Sequence, residues 1–168
     1  NYEQYLKSLF RNYFDYTFSI ENQKTSLSLR NTSVFVGECL ISFGLTPGNK
    51  VNNKITIPKW IFSDRSFLKR TIRGLFDTDG CIYNKYAHYA QIQFKFGCLE
   101  LTKSLHKAVR SIGFTPTTIQ EDWCKIKMAT RWKFYLSRQK EIDQFFSVIK
   151  PKNQKHVLRY NKIRKVGM

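Results

Sequence analysis

The chain has 168 residues, 42% of them hydrophobic and 15% aromatic, which is enough for one sizeable domain or two small repeats and too apolar for a disordered tail. Lys and Arg total 29 against 12 acids, a formal net charge of +17. Such a balance points to a polyanionic partner.

In chain order, "YEQYLKSLFRNYF" (2–14) sets Tyr5, Leu6, Leu9, Phe10, Tyr13 and Phe14 at helical spacing. "TFSI" (17–20) and "SLSLR" (26–30) alternate at period two around the polar "ENQKT", which predicts a hairpin. A second helix is predicted over "SVFVGECLISFGL" (33–45), capped by Thr32 or Ser33 and stopped at Gly44. A turn-rich connector, "TPGNKVNNKITIPKW" (46–60), follows.

"FLKRTIRGLFDTDGCIY" (67–83) reads as an amphipathic helix that runs into two aspartates, a glycine and a strand. Carboxylates at the C-terminal end of a helix oppose its dipole, by roughly 0.3–1 kcal/mol each when exposed. Asp77 and Asp79 therefore need compensation. Beyond them, residues 82–96 alternate as a strand pair, and "LTKSLHKAVRSIGF" (101–114) is helical. "DWCKIKMATRWKFYLS" (122–137) supplies two more strands, with Glu121 and Asp122 placed at a turn. "KEIDQFFSVI" (140–149) is helical and is followed by "KPKNQKHVLRYNKIRK" (150–165), to which no element is assigned.

Two weak internal matches occur in the same order, "YLKSLF" with "LTKSLH" and "FGLTPGNK" (43–50) with "VIKPKNQK" (148–155). With helix, strands and helix between them in each half, they indicate a duplicated unit. The second copy opens with the acid-ended helix and a hairpin, which the first copy lacks, and the chain begins on Asn1 rather than Met. The missing part is expected from upstream sequence or from another chain. The reading is a partial first repeat over 1–50, a linker over 51–63, and a second repeat over 64–168 with its acid-ended helix at 64–79.

Strand alternation assigns faces. In "AQIQFKF" (90–96), Ile92, Phe94 and Phe96 are predicted to face the core, leaving Gln91, Gln93 and Lys95 outside with Tyr83 and Lys85 of the preceding strand. In "CKIKM" (124–128), Cys124, Ile126 and Met128 are placed inward, Lys125 and Lys127 outward. In "RWKFYLS" (131–137), Trp132, Phe134 and Leu136 alternate with Arg131, Lys133 and Tyr135. The first hairpin repeats the scheme, with Leu27 and Leu29 inward and Ser26, Ser28 and Arg30 outward.

Gln, Arg and Lys are the side chains that contact base edges and phosphates, so the outer faces suit a nucleic-acid surface. No apolar run reaches the roughly 18–20 residues of a membrane span, and no amphipathic stretch has a wholly basic face, so no membrane partner is expected. Cys39, Cys81, Cys98 and Cys124 lie far apart without a CxxC pair. They read as reduced thiols of an intracellular protein, of cytoplasm, nucleoid or organelle matrix alike, rather than as a zinc site.

Gly74 within a helix costs about 1 kcal/mol relative to Ala, and with Thr78 four residues on it forms a small-residue face that lets two helices approach closely. Gly80 is expected in the left-handed conformation that ends a helix. Asp79 is then projected beside free helix carbonyls, a hard-oxygen site suited to Mg²⁺, which offsets the unfavourable dipole.

Residues 72–80, "IRGLFDTDG", follow the pattern LAGLIDADG: Gly74, Leu75, Asp77, Asp79 and Gly80 match, Ile72 and Phe76 are apolar replacements, and Arg73 and Thr78 stand where the pattern has Ala. The chain resembles a dodecapeptide-type LAGLIDADG homing endonuclease, specifically the second repeat plus the end of the first repeat of a two-motif enzyme. That resemblance implies an α+β fold of αββαββα repeats with antiparallel, saddle-shaped sheets that lie in the major groove of double-stranded DNA. It implies site-specific, Mg²⁺-dependent cleavage of both DNA strands in an intron- or intein-associated setting, with Asp79 as metal ligand beside Gly80.

The family's basic residue falls at Lys155 and its counterpart Lys50 by the repeat comparison, with Lys152 as rival. A paired active site further implies a complementary fragment or a homodimer joined through the Gly74 and Thr78 face. The alternative is a non-cleaving RNA splicing maturase or DNA-binding regulator of the same fold.

Overall fold

Residues 2–22, 27–86, 89–124 and 128–166 are described by the computed structural model. They build a mixed α+β protein with antiparallel sheets, in two units, Asn1–Pro47 and Gly48–Met168.

In the first unit, the helical spacing of apolar residues forms α1 (Tyr2–Phe14). Next come the strands β1 (Ser19–Asn22) and β2 (Leu27–Arg30), paired antiparallel with Ile20 opposite Leu29. α2 (Val34–Ser42) starts at Ser33, whose hydroxyl accepts the Val36 N–H at 3.3 Å, and the chain turns away at Gly44 with φ +95°. Two of the predicted details shift. β1 begins two residues later than "TFSI", because Ser19, rather than Thr17, finds a partner in Arg30. The apolar face of the hairpin is not buried, since Ile20 is 49% exposed. Among the described residues of this unit, Val36 alone is buried. Ser26 lies outside the described residues.

The second unit holds the core. A 3-10 turn (Lys59–Ser63) leads to α3 (Arg65–Asp79), whose N-cap Asp64 accepts the N–H of Phe67 at 3.3 Å. Next in order are β3 (Gly80–Tyr86), β4 (Tyr89–Phe96), α4 (Leu99–Ser111), β5 (Gln120–Cys124), β6 (Ala129–Leu136), α5 (Gln139–Ile149) and α6 (Gln154–Val166). The strands form one antiparallel sheet ordered β3-β4-β6-β5. One face, carrying Ile82, Ile92, Phe94, Phe134 and Leu136, buries against Ile72 and Phe76 of α3, Leu105 of α4 and Phe145 of α5. The Phe76 ring sits 5.8 Å from Phe94 and 5.0 Å from Phe145 in edge-on contacts, an arrangement favoured by the aromatic quadrupole.

Four sequence expectations are corrected here. Residues 51–63 are no linker: Ile57 is buried in the core, with Ile55, Ile61 and Phe62 packed on it. Glu121 and Asp122 lie inside β5 rather than at a turn, opposite Trp132 and Arg131. β5 is described to Cys124, and Met128, expected inward, is 74% exposed with φ +45°. The residues from 124 to 128 contain no Gly, Pro or Asn to announce the positive φ of Met128. Ile126, Lys125 and Lys127 lie outside the described residues. Finally, the unassigned tail forms α6, started by Asn153, whose side chain accepts the Lys155 N–H at 3.1 Å.

Candidate functional site

Two acids at the end of α3 have different fates. Asp77 is buried, and its carboxylate accepts the backbone N–H of Lys152 (3.0 and 3.2 Å) and of Asn153 (3.1 Å), while the Asn153 amide donates back to the Asp77 carbonyl at 2.8 Å. Those donors open α6, so the positive end of one helix answers an acid that the negative end of another disfavours. Burial still pushes the Asp77 carboxyl above the usual range, against the lowering effect of those two N–H groups.

One turn earlier on α3, the Arg73 guanidinium donates to the Ile149 carbonyl at 2.6 Å, at the C-terminal end of α5. Arg73 and Asp77 thus hold the α5–α6 connector by both ends, a cation on the outgoing carbonyl and an anion on the incoming N–H groups. Arg73 therefore points into its own unit, away from Gly74.

Asp79 is exposed, and its described hydrogen bond is from the Thr78 hydroxyl at 2.9 Å. Gly74 and Thr78 are exposed on the same side of α3, and nothing lies within 4 Å of a methyl group built on Gly74. Gly80 does not adopt the left-handed conformation expected of it: φ is −79° and ψ 164°, an extended start to β3. Its lack of a side chain serves close approach instead, since a Cβ there would come within 2.6 Å of the Phe76 carbonyl oxygen and 2.8 Å of the Phe76 Cα.

One exposed carboxylate and a main-chain carbonyl are hard-oxygen donors of the type Mg²⁺ takes when phosphate and water complete its shell. Among the described residues, no group of three or more His, Cys, Asp or Glu could enclose a metal ion. The donor set therefore fits a cation shared with a phosphate and not one caged by protein.

The candidate lysines approach from two directions. Lys152 and Lys155 flank Asn153 at the start of α6, the segment that Asp77 grips, and so come to the end of α3 that carries Asp79. Lys50 lies in the 48–54 turn, whose Val51 packs 3.5 Å from the Cβ position of Gly97 just beyond β4. Gly80 pairs with Phe94 near that same end of β4.

The sheet face opposite the core carries the predicted contact residues. Tyr83 lies opposite Gln91, Cys81 opposite Gln93, Gln93 opposite Tyr135, and Lys95 opposite Lys133. Much of this face is already hydrogen-bonded. The Tyr83 hydroxyl donates to Gln91 Oε1 at 2.6 Å, Gln91 Nε2 to Ser137 Oγ at 2.6 Å, and Gln93 Nε2 to the Tyr135 hydroxyl at 3.0 Å. Gln91 is buried, and burial also raises the Tyr83 pKa.

Lys95 and Lys133 both pair with the Asp122 carboxylate. Those two ammonium groups, Lys133 first, hold the Asp122 carboxyl down to about 2. Arg131 is half-buried opposite Asp122. Lys85 is exposed, at the break in register between Asn84 and Tyr86, with its ammonium 5.5 Å from the Tyr86 ring centre. In the first unit, Ser28 is half-buried and Arg30 exposed, paired to Glu21 at 2.9 Å.

Sequence reasoning missed Arg73, Asn153 and Arg159. The last is exposed on α6 and reaches Cys81 Sγ at 3.8 Å, adding a cation beside β3. Only the spacing of Asn153 before His156, Tyr160 and Ile163 signalled α6. No helix among the described residues is long and apolar enough to cross a membrane. No family model matches the chain, and no curated protein matches it.

Proposed function

We propose that the chain is part of a site-specific, Mg²⁺-dependent DNA endonuclease of the LAGLIDADG homing type, cutting both strands in an intron- or intein-associated setting. The observation that carries this reading is the division of labour at the end of α3. Asp77 is buried and fully answered by α6, whereas Asp79, two residues on, is left exposed beside a sheet face rich in Gln, Lys and Arg. The described hydrogen bond of Asp79 comes from the neutral Thr78 hydroxyl, which leaves its charge available to an outside cation.

In this reading the outer sheet face of β3, β4 and β6 enters the major groove, with Gln93, Lys95, Arg131 and Lys133 toward base edges and phosphates. Asp79 and the Gly80 carbonyl would hold the cation, which would supply charge stabilisation for phosphodiester hydrolysis when bound. One of Lys155, Lys152 and Lys50 clamps the phosphate. The exposed Gly74 and Thr78 face of α3 meets an equivalent helix of a complementary fragment or a second copy.

The exposed apolar side chains of the first unit, Val34, Phe35 and Ile41 of α2 among them, support a further partner segment. A non-cleaving maturase or DNA-binding regulator would use the same sheet. The observation that favours it is that no group of three or more His, Cys, Asp or Glu among the described residues could enclose a metal ion.

The test is Asp79→Asn in the 168-residue chain, assayed with Mg²⁺ on a randomised duplex pool. Loss of cleavage by 100-fold or more, on the order expected for removing a metal ligand, with duplex binding kept, supports the enzyme. Binding without cleavage by either form, both alone and mixed with a complementary fragment that carries its own LAGLIDADG helix, supports the regulator, and cleavage untouched by the substitution rejects Asp79 as ligand.

A further inference from the structure

The outer face of the four-stranded sheet is not uniform. One end is neutral and interlocked, with Tyr83, Gln91 and Ser137 in one chain of hydrogen bonds and Gln93 on Tyr135 in the next row. The other end carries Lys95, Lys133 and Arg131, and a single acid, Asp122, is set among them. Asp122 lies directly opposite Arg131, yet its carboxylate spans to Lys95 through one oxygen and to Lys133 through the other. All three side chains are largely shielded, at 28% exposure for Lys95, 20% for Lys133 and 24% for Asp122.

Lysines on so basic a surface ordinarily swing to phosphates, contacts that add affinity without sequence information. Each ammonium has three donors and no fixed geometry of its own. A carboxylate between two of them fixes their positions and leaves the remaining N–H groups pointing from known places. It also repels phosphate from that spot.

We infer that Asp122 is a positioning residue that turns Lys95 and Lys133 from phosphate contacts into base-edge readers, and so sets the sequence discrimination of this sheet. The chemistry it selects is a G·C pair in the major groove, with guanine O6 and N7 accepting from the clamped ammonium groups and the cytosine amino group donating to the carboxylate. The inference rests on the DNA-binding reading above and names what one part of that surface recognises.

Selection of the full chain against a randomised duplex pool, followed by salt titrations on the selected duplex and on a scrambled one, tests it. Asp122→Asn should enrich for G·C at one position less strongly and bring the affinity ratio of the two duplexes down by roughly tenfold. Its salt slope should steepen by about one to two, as freed lysines reach phosphates. Lys95→Gln with Lys133→Gln should weaken the selected duplex while leaving the scrambled one unchanged. That second variant decides the matter even where Asp122→Asn folds poorly, and Asp122→Glu should restore part of the discrimination.

Equal losses on both duplexes in the lysine variant, with an unaltered ratio, overturn the inference and leave DNA binding intact. A wild-type chain that retains neither duplex overturns the DNA reading itself, and this inference with it.

Discussion

Two glycines six residues apart on the α3–β3 path have opposite physical reasons to be there. A methyl group at Gly80 would collide with the Phe76 main chain, which the helix cannot move without disturbing a ring buried among Phe94, Phe145 and His156. Gly80→Ala should therefore destabilise the chain by about 1–3 kcal/mol, as overpacking does. At Gly74 there is open space, so Gly74→Ala should raise stability by up to about 1 kcal/mol through helix propensity. Urea unfolding of both variants checks the pair, and a stabilised Gly80→Ala or a destabilised Gly74→Ala would contradict it. On the endonuclease reading, Gly74→Ala should also cost activity, because the face it fills is the one proposed to meet another helix.

His156 offers a second test at this scale. It is buried against the Phe76 ring at 4.6 Å with no partner for Nδ1, and burial pushes its pKa below the usual 6.5 despite the neighbouring Asp77, with Lys155 and Arg159 adding to the lowering. The unfolded chain therefore takes up this proton first as the medium acidifies. The contribution of His156 is whole above about pH 6.5 and declines as pH falls below it. His156→Phe should flatten that part of the stability profile in thermal melts between pH 7.5 and about 5.

At the scale of elements, the decisive arrangement is α3 gripping the joint between α5 and α6 through Arg73 and Asp77. Asp77→Ala would take the charged acceptor from two part-buried N–H groups, at about 1–3 kcal/mol for each. The loss should be local first. Hydrogen exchange should show the amides of α6 losing protection before those of β4 and β6, the two central strands of the sheet. Uniform loss across the second unit would mean that the grip supports the whole core.

This joint also marks the limit of what sequence can say. Period-two and period-3.6 patterns found α4, α5 and the core strands because each buries one face, and they found α1 and α2 by the same apolar spacing although α1 buries no residue and α2 buries Val36. α6 escaped because its start is stabilised by an acid 75 residues earlier in the chain, a relation with no local signal. The β5–β6 reversal escaped because Met128 takes its positive φ without the Gly or Asn that usually announces one. Of the candidate site, Asp77 and Asp79 were legible as a problem of helix electrostatics, with Asp77 given the structural part, but that the start of α6 would answer it was not. Asp122 was misread for a related reason: an acid in a strand looks like a turn until the two lysines that hold it are placed by register.

For the whole molecule, the two units stand in different energetic positions. Both repeat the order helix, hairpin, helix, α1-β1-β2-α2 in the first and α4-β5-β6-α5 in the second. In the second, Leu101, Leu105, Ala108 and Val109 of α4 and Ile142, Phe145 and Ile149 of α5 are buried, and much of what they bury against is α3, β3 and β4. In the first, α1 buries no residue and α2 buries Val36, leaving Phe35 65% exposed. A helix pair with one buried side chain gains little of the roughly 1.5–3 kcal/mol that each buried Leu, Ile or Phe contributes. The first unit should therefore open far more readily than the second. Native-state exchange of the full chain should give protection factors for residues 1–47 roughly a hundredfold or more below those of β4 and β6. A peptide corresponding to an amphipathic helix and hairpin of the α3-β3-β4 kind, added in excess, should raise protection in the first unit and leave the second unchanged. Equal protection in both units, with one shared unfolding transition, would show that the first unit is not short of a partner and would remove the physical ground for expecting one.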